Sequence, residues 1–533
     1  MPLVLATLLS ATLQGIAGRI VRVEVDVAPG LPGFTIVGLP DAALSEARER
    51  VRGALRNAGF HHPPRRITVN LAPAELRKAG ASLDLAIALG ILLGSDQVQA
   101  SPGRVALIGE LGLGGEVRRV PGILPMCLAL GARGVRRVVV PADAVAEAAL
   151  APGVEPIPVA DVAEAADALR ARRSRRARPV ALPRAGSPAD GTGLPADAAP
   201  DGPSTVAVRE ATVVDLADVR GQAVARRALE IALAGDHALL LIGPPGVGKT
   251  LLARTIPPLL PDLDDAAALS ATVVASAASP IPVVDLVRRP PVRTPHHTTS
   301  YAGMVGGGPR MSPGEVTLAD QGVLFCDELP EFGRDVLEAL RQPLEDGFVS
   351  VVRVGRSATF PARFTFVAAM NPCPCGQYGA ADRTCTCPPG VPERYLRRVS
   401  GPLRDRIDLW VRLDRVPPEV LLAGLEPEAS AVVAGRIAAA RQRQRARWAE
   451  TGSGGRLQAR ALRSACAMDV ATEGRAIVLA EREGLSGRGM DRLLRVARTI
   501  ADLAGDVAVQ PPHLDEAARF RSPVDRMAMW RAG

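Results

Sequence analysis

The stretch Gly243-Pro-Pro-Gly-Val-Gly-Lys-Thr250 decides how this chain reads. It matches G-x-x-x-x-G-K-[ST] in full, with the apolar run Ala238-Leu-Leu-Leu-Ile242 before it and the helix-like Leu251-Leu-Ala-Arg254 after it. A strand, a glycine-rich turn and a helix in that order aim backbone N–H groups inward at the positive end of the helix, which makes a cradle for phosphate oxygens. Gly243, Pro244, Pro245, Gly246, Val247 and Gly248 form that cradle. Lys249 is expected to span the β- and γ-phosphates of a nucleoside triphosphate, and the Thr250 hydroxyl to bind Mg2+. A plain Gly/Pro turn between strand and helix would leave the full motif unexplained.

About eighty residues further on, Gly322-Val-Leu-Phe-Cys-Asp-Glu328 is an apolar strand that ends in two carboxylates. Downstream of a phosphate loop, such a pair assigns Asp327 to Mg2+ through water and Glu328 to the attacking water. A third apolar run, Phe364-Thr-Phe-Val-Ala-Ala-Met370, leads to Asn371, whose amide suits a water beside the γ-phosphate; the competing reading is a turn residue before Pro372. Short apolar runs with little alternation predict strands of a parallel sheet covered on both faces. In Leu403-Arg-Asp-Arg-Ile-Asp408, Arg406 is a candidate finger for a neighbouring subunit's nucleotide, against the bland alternative of a surface ion pair.

Cys373-Pro-Cys375 and Cys385-Thr-Cys387 put four thiols within fifteen positions, with Gly and Pro for tight turns. That pattern suits tetrahedral zinc, although C-x-C is tighter than the usual knuckle; unliganded cysteines and redox pairs are the alternatives. Cys127, Cys326 and Cys466 lie in apolar contexts and read as core.

At 533 residues the chain calls for about three domains. The expected division is an α/β region over 1–170, a disordered Pro/Gly/Ala-rich linker over 171–210, an α/β core over 211–415 carrying the cysteine insert at 371–390, and a helical region over 416–533. Strand-like Arg19-Ile-Val-Arg-Val-Glu-Val-Asp-Val27 and a helical pattern over 41–59 open the first region. The linker starts with the basic run Arg172-Arg-Ser-Arg-Arg-Ala-Arg178. A formal charge of +8 is compatible with an anionic partner but does not require one. With only 3% aromatic residues, any nucleic acid would be held through arginine–phosphate contacts rather than base stacking. Two of the 64 basic residues are lysine, Lys78 and Lys249, and one of them occupies the phosphate-contact position. No apolar run approaches the roughly 20 residues of a membrane span, and the start lacks a basic segment, so a cytoplasmic protein is expected.

The phosphate loop, Gly322-Val-Leu-Phe-Cys-Asp-Glu-Leu-Pro-Glu-Phe332, Ala369-Met-Asn-Pro-Cys-Pro-Cys-Gly376 and Ser486-Gly-Arg-Gly-Met-Asp-Arg492 resemble the magnesium-chelatase-like AAA+ family of the YifB/ComM type. Gly38-Leu-Pro-Asp41 and Ile67-Thr-Val-Asn-Leu-Ala-Pro73 carry the resemblance to the start of the chain. It implies a Lon-protease-like (S5-like) N-terminal domain, an AAA+ core and a C-terminal helical lid. It further implies a hexameric ATP-driven motor that migrates DNA branches during natural transformation. By the same resemblance Asn371 is sensor 1, Arg406 the finger and Arg488 the sensor-2 arginine, with Arg492 a second candidate. Thr294-Pro-His-His-Thr298 and the insert around Arg353 and Arg356 match segments that face a ring pore and DNA phosphates. His296 and His297, adjacent on an expected strand, should point apart and are not read as metal ligands. Cys326 and Arg404 stand where the family more often has Leu, so Arg404 competes with Arg406.

Lys78-Ala-Gly-Ala-Ser82 resembles the nucleophile segment of Lon, but Leu124 falls where a lysine base is needed and no lysine lies nearby. Arginine holds its proton too tightly to replace it. A non-proteolytic domain is expected, with Lys78 a charged turn or a DNA contact. Remodelling of a protein partner is the alternative to action on DNA, and Glu328 argues against a mere nucleotide-binding adaptor.

Overall fold

The computed structural model describes residues 5–78, 80–99, 104–170, 214–308, 311–353, 356–380, 383–422, 427–451 and 459–521. The expected linker, 171–210 with its basic run, lies outside the described residues. The chain forms two compact units, residues 1–211 with 276–285, and residues 212–275 with 286–533.

In the first unit, strands β1 (Ala6–Gln14), β2 (Ala17–Ala28), β3 (Gly33–Val37), β4 (Arg66–Ala72), β5 (Val105–Leu107), β6 (Arg137–Pro141) and β7 (Glu155–Val159) form one mixed sheet in the order β3-β4-β2-β1-β5-β6-β7. The alternation read over 19–27 is the pleat of β2, whose Val21, Val23 and Val25 face the core while the residues between them do not. Over 41–59 the helix is real but broken. Asp41 caps it by accepting from the Leu44 N–H at 2.9 Å, a first turn runs Ala42–Ser45, and α1 (Ala47–Asn57) resumes after Glu46. Helix α2 (Asp84–Gly94) is almost wholly buried, and its glycines let it lie flat on β2. A methyl on Gly90 would stand 2.5 Å from Val25 Cγ2. The buried carboxylate of Asp84 is paired with Arg50 at 2.7 Å, and burial still pushes its pKa up to about 6 against the pull of that guanidinium.

The second unit is built on strands β8 (Leu239–Ile242), β9 (Val292–Arg293), β10 (Val323–Cys326), β13 (Thr365–Met370) and β14 (Leu409–Arg412), all parallel, in the order β9-β10-β13-β8-β14. The three apolar runs read from the sequence are β8, β10 and β13, and they lie side by side. Every residue of all three is buried, as a sheet covered on both faces requires. An antiparallel hairpin, β11 (Phe348–Arg353) with β12 (Arg356–Pro361), leaves the unit between β10 and β13. Downstream of residue 415 the described residues hold helices and no strand. The longer ones are α3 (Ser430–Thr451), α4 (Val470–Arg482), α5 (Gly487–Ala504) and α6 (Pro511–Arg519). Their apolar faces join the sheet core, Leu493 and Ile500 of α5 with Leu239 and Leu241 of β8. A buried polar pin supports the packing, His237 Nε2 lying 2.8 Å from Thr499 Oγ1 of α5.

Candidate functional site

Parallel register sets the site. Leu239–Ile242 pairs residue for residue with Val367–Met370, and Val323–Cys326 with Thr365–Ala368, so Gly243, Asp327 and Asn371 leave the same edge of the sheet at adjacent strand ends. Open α/β sheets bind ligands at that carboxyl edge. Gly246 (φ +82°) and Gly248 (φ +94°) take left-handed conformations that close the loop, and the helix Lys249–Arg254 starts directly after it. Gly243 is needed for a different reason. Its missing Cβ would stand 2.5 Å from the Leu413 carbonyl oxygen.

Lys249 is only 8% exposed, and its ammonium donates to Gly243 O at 2.6 Å, Pro244 O at 2.9 Å and Asn371 Oδ1 at 2.9 Å. Three acceptors meet its three donors, in the place where phosphate oxygens would compete for them. Burial pushes its pKa down to about 8, opposed by the charges of Asp327 and Glu328. Thr250 Oγ1 donates to Asp327 Oδ2 at 2.7 Å. A hydroxyl and a carboxylate side by side are hard oxygen donors that fit Mg2+.

Glu328 has φ +52° and ψ +46°, a left-handed backbone for a non-glycine residue, and its N–H donates to Asp327 Oδ1 at 2.9 Å. Such a conformation costs on the order of 1–3 kcal/mol and gathers at functional sites. Its carboxylate lies 3.4 Å from His297 Nδ1. The two histidines do not point apart. Residues 294–298 leave β9 as a turn rather than a strand, and the rings of His296 and His297 approach to 4.1 Å between centroids. The strand-based expectation therefore missed the contact with Glu328.

Cys373, Cys375, Cys385 and Cys387 converge so that all four Sγ atoms lie within 4.8 Å of one another. Cys373 is 3.3 Å from Cys375 and 3.8 Å from Cys385, and Cys375 is 3.5 Å from Cys385. Thiolates held tetrahedrally by zinc at about 2.3 Å stand about 3.8 Å apart, so the donor set fits zinc. Burial pushes Cys373 up to about 12. Cys375, despite its own burial, is held down at about 5 by the N–H groups of Gln377 and Thr386, which favour the thiolate a metal takes. The same loop leans on the phosphate cradle. Gly376 (φ +78°) passes so close that a Cβ would stand 2.4 Å from Pro245 Cδ. Cys127, Cys326 and Cys466 are buried, as core cysteines should be.

The remaining candidates stand apart from this cluster. Arg406 donates to Pro402 O at 2.7 Å and is paired with Glu345, and the buried Nε atoms of both Arg404 and Arg406 have no hydrogen-bond partner among the described residues. Arg488 is exposed on the first turn of α5 and Arg492 is half-buried one turn on. Arg353 is exposed at the tip of the β11–β12 hairpin, opposite Arg356 in register. Lys78 is neither a charged turn nor a surface contact. It is fully buried, its ammonium donating to Gly38 O at 2.9 Å and to Pro73 O, so that it staples two loops. Ser82 is buried too, and its hydroxyl donates to Ala11 O at 2.9 Å.

A buried parallel sheet with a glycine loop, a lysine, a threonine and an acidic pair on its carboxyl edge defines an α/β protein of the P-loop class. The family described as "Magnesium chelatase, subunit ChlI" matches residues 215–421, "Subunit ChlI of Mg-chelatase" matches 23–144, and "Magnesium chelatase, subunit ChlI C-terminal" matches 427–521. Among relatives, YifB of Escherichia coli (strain K12) is 41% identical over 96% of each chain, and the protein Rv2897c of Mycobacterium tuberculosis is 40% identical over 96% of each. The competence protein ComM of Haemophilus influenzae is 39% identical over 98% of each. The chain therefore belongs to the magnesium-chelatase-like family of the YifB and ComM type. No helix among the described residues is long and apolar enough to cross a membrane.

Proposed function

We propose that this protein is a cytoplasmic AAA+ ATPase that assembles into a hexameric ring and uses ATP hydrolysis to move on branched or duplex DNA, migrating branches of recombination intermediates. The observation that carries the reading is the meeting of Lys249, Thr250, Asp327 and Asn371 at one sheet edge, with Glu328 beside them. The phosphate loop and Lys249 bind the triphosphate, and Asn371, already bonded to Lys249, lines the γ-phosphate position. Glu328 orients a water and accepts its proton as the water oxygen bonds to the γ-phosphorus and the bond to the ADP oxygen breaks. Thr250 and Asp327 hold Mg2+, which neutralises charge on the phosphates when bound.

Arg406 or Arg404 serves as the finger for a neighbour's site, and Arg488 or Arg492 as the sensor on the helical lid. Arg353 and Arg356 grip DNA phosphates without reading sequence. The four cysteines hold a structural zinc. The first unit is a Lon-like domain without peptidase chemistry, a reading supported by the capture of Lys78 and Ser82 on backbone carbonyls. Likeness to a competence protein over nearly the full chain favours DNA as the partner. The chelatase subunit named by the family match favours a second reading, remodelling of a protein partner.

Phosphate release measured with and without forked DNA at low salt separates the two readings. DNA should stimulate release, and changing Arg353 and Arg356 to Ala should abolish the stimulation. Glu328→Gln should lower turnover about 100- to 10,000-fold while ATP still binds. Release indifferent to DNA selects the protein partner, and undiminished release by Glu328→Gln removes the assignment of that carboxylate.

A further inference from the structure

The chain of the ATPase unit leaves that unit once and returns. Residues 276–285 count with the first unit, although 212–275 before them and 286–533 after them form the second. The helix Asp265–Ala278 leads into this excursion, and Pro280 ends it, because proline cannot extend a helix and keeps the residue before it extended. The last carbonyls of that helix have no helical N–H partners. Residues of the first unit supply them. Gly122, left-handed at φ +81°, donates its N–H to Ser276 O at 2.9 Å. Arg119 Nη1 donates to Pro280 O at 2.7 Å and to Ser279 O at 3.4 Å, a cation where a helix C-terminus favours one.

The same guanidinium is half of a buried pair. Arg119 Nε and Nη2 meet Glu147 Oε2 at 3.0 and 2.8 Å, and the two side chains are 6% and 0% exposed. The other carboxylate oxygen, Oε1, accepts from the Leu124 N–H at 3.3 Å and from Ser276 Oγ at 2.5 Å. A buried ion pair is favourable only when its remaining donors and acceptors are met, and residues 276–280 meet some on each partner. Earlier on the helix, in the second unit, Ser270 Oγ donates to the buried Asp320 at 2.8 Å. One helix thus carries a polar anchor in each unit.

We propose that Ser276–Asp285 is a strap by which the ATPase holds the first unit and passes movement of the helix Asp265–Ala278 into it. The expected linker at 171–210 is then not the only tie, since the chain also crosses at 275–276 and at 285–286. Nucleotide-driven movement reaches Gly122 and Leu124 through the bonds that Ser276 makes. The holding stands on the buried contacts; the transmission rests on the proposed ATPase reading.

A protease site placed within 171–210 of the full chain tests the holding. After cleavage the amino-terminal piece should co-elute with the remainder in gel filtration at high salt, because buried charges are screened little. Replacing 276–285 by a Gly/Ser run of the same length should release the piece, with circular dichroism of the uncut protein as the check on folding. Ser276→Ala, which leaves Glu147 Oε1 short of a charged hydrogen bond, should speed release about tenfold. A piece that separates from wild type overturns the proposal, and so does one that stays after the strap is replaced. For the transmission, deuterium uptake over residues 121–126 is compared in Glu328→Gln with and without Mg-ATP. Uptake should shift on binding, and the shift should be lost with the strap replaced. Unchanged uptake in a chain that binds the nucleotide overturns the transmission. A chain that binds none overturns the ATPase reading and the transmission with it, while co-elution still decides the holding.

Discussion

Lys249 shows how much a single side chain can report. In the free site burial holds its pKa near 8, while a bound triphosphate supplies negative charge that raises it. Protonated Lys249 is thus favoured by the complex, and affinity is fully present below pH 8 and is lost as pH rises above it. A fluorescent ATP analogue should bind roughly eightfold more weakly at pH 9 than at pH 7.5, with proton uptake visible by calorimetry, and Lys249→Arg should flatten the profile. Asp84 is shifted upward rather than downward, yet its contribution likewise falls as pH rises. Its carboxyl titrates near 6 when folded, above the ordinary carboxylate value, so the native state binds the proton more tightly. Stability is therefore lost as pH rises from about 4 to about 6, by at most about 3 kcal/mol. Denaturant midpoints of wild type against Asp84→Asn across that window check it. At this scale the sequence was readable where a motif fixes chemistry, as in Lys249, Thr250 and Asp327. It was opaque where distant backbone decides. Nothing local to Lys78 announces that carbonyls from Gly38 and Pro73 close around its ammonium.

The elements were legible to the extent that burial is periodic. Strands β8, β10 and β13 emerged from unbroken apolar runs because both sheet faces are covered, and their lengths alone excluded long helices. A reading of 294–298 as a continuation of the strand overlooks Pro295, which cannot donate to a sheet ladder and already argues against one. The cysteine loop was legible as a ligand set but not as a neighbour of the phosphate cradle, because the Gly376–Pro245 contact joins residues 131 positions apart. That contact has a consequence. Stripping zinc, or changing Cys375 to Ser, should loosen both the wall behind Pro245 and the strand end that presents Asn371. Nucleotide affinity should fall about three- to tenfold while the circular dichroism of the rest of the chain is retained. Elemental analysis should find about one zinc per chain before stripping and none after.

For the whole molecule the question is whether one chain suffices. In a single chain Arg406 is occupied by Pro402 O and Glu345, away from the phosphate loop, which suits a residue that serves another subunit's site. Arg406→Ala should retain ATP binding within about twofold yet lose on the order of a thousandfold in turnover. Mixing it with Glu328→Gln should restore part of the activity, because each defective protein supplies what its neighbour lacks; absence of rescue would confine the arginine to its own chain.

A last consequence follows from the scarcity of lysine. With Lys78 sealed among carbonyls and every other basic side chain but Lys249 an arginine, acylating reagents for primary amines meet a nearly blank surface, the amino terminus apart. Lys249, 8% exposed and with its pKa lowered by burial to about 8, is then the one ε-amine outside that seal, so the extent of its acylation at pH 8, read by mass spectrometry, would serve as a gauge of how many sites in an assembly hold nucleotide.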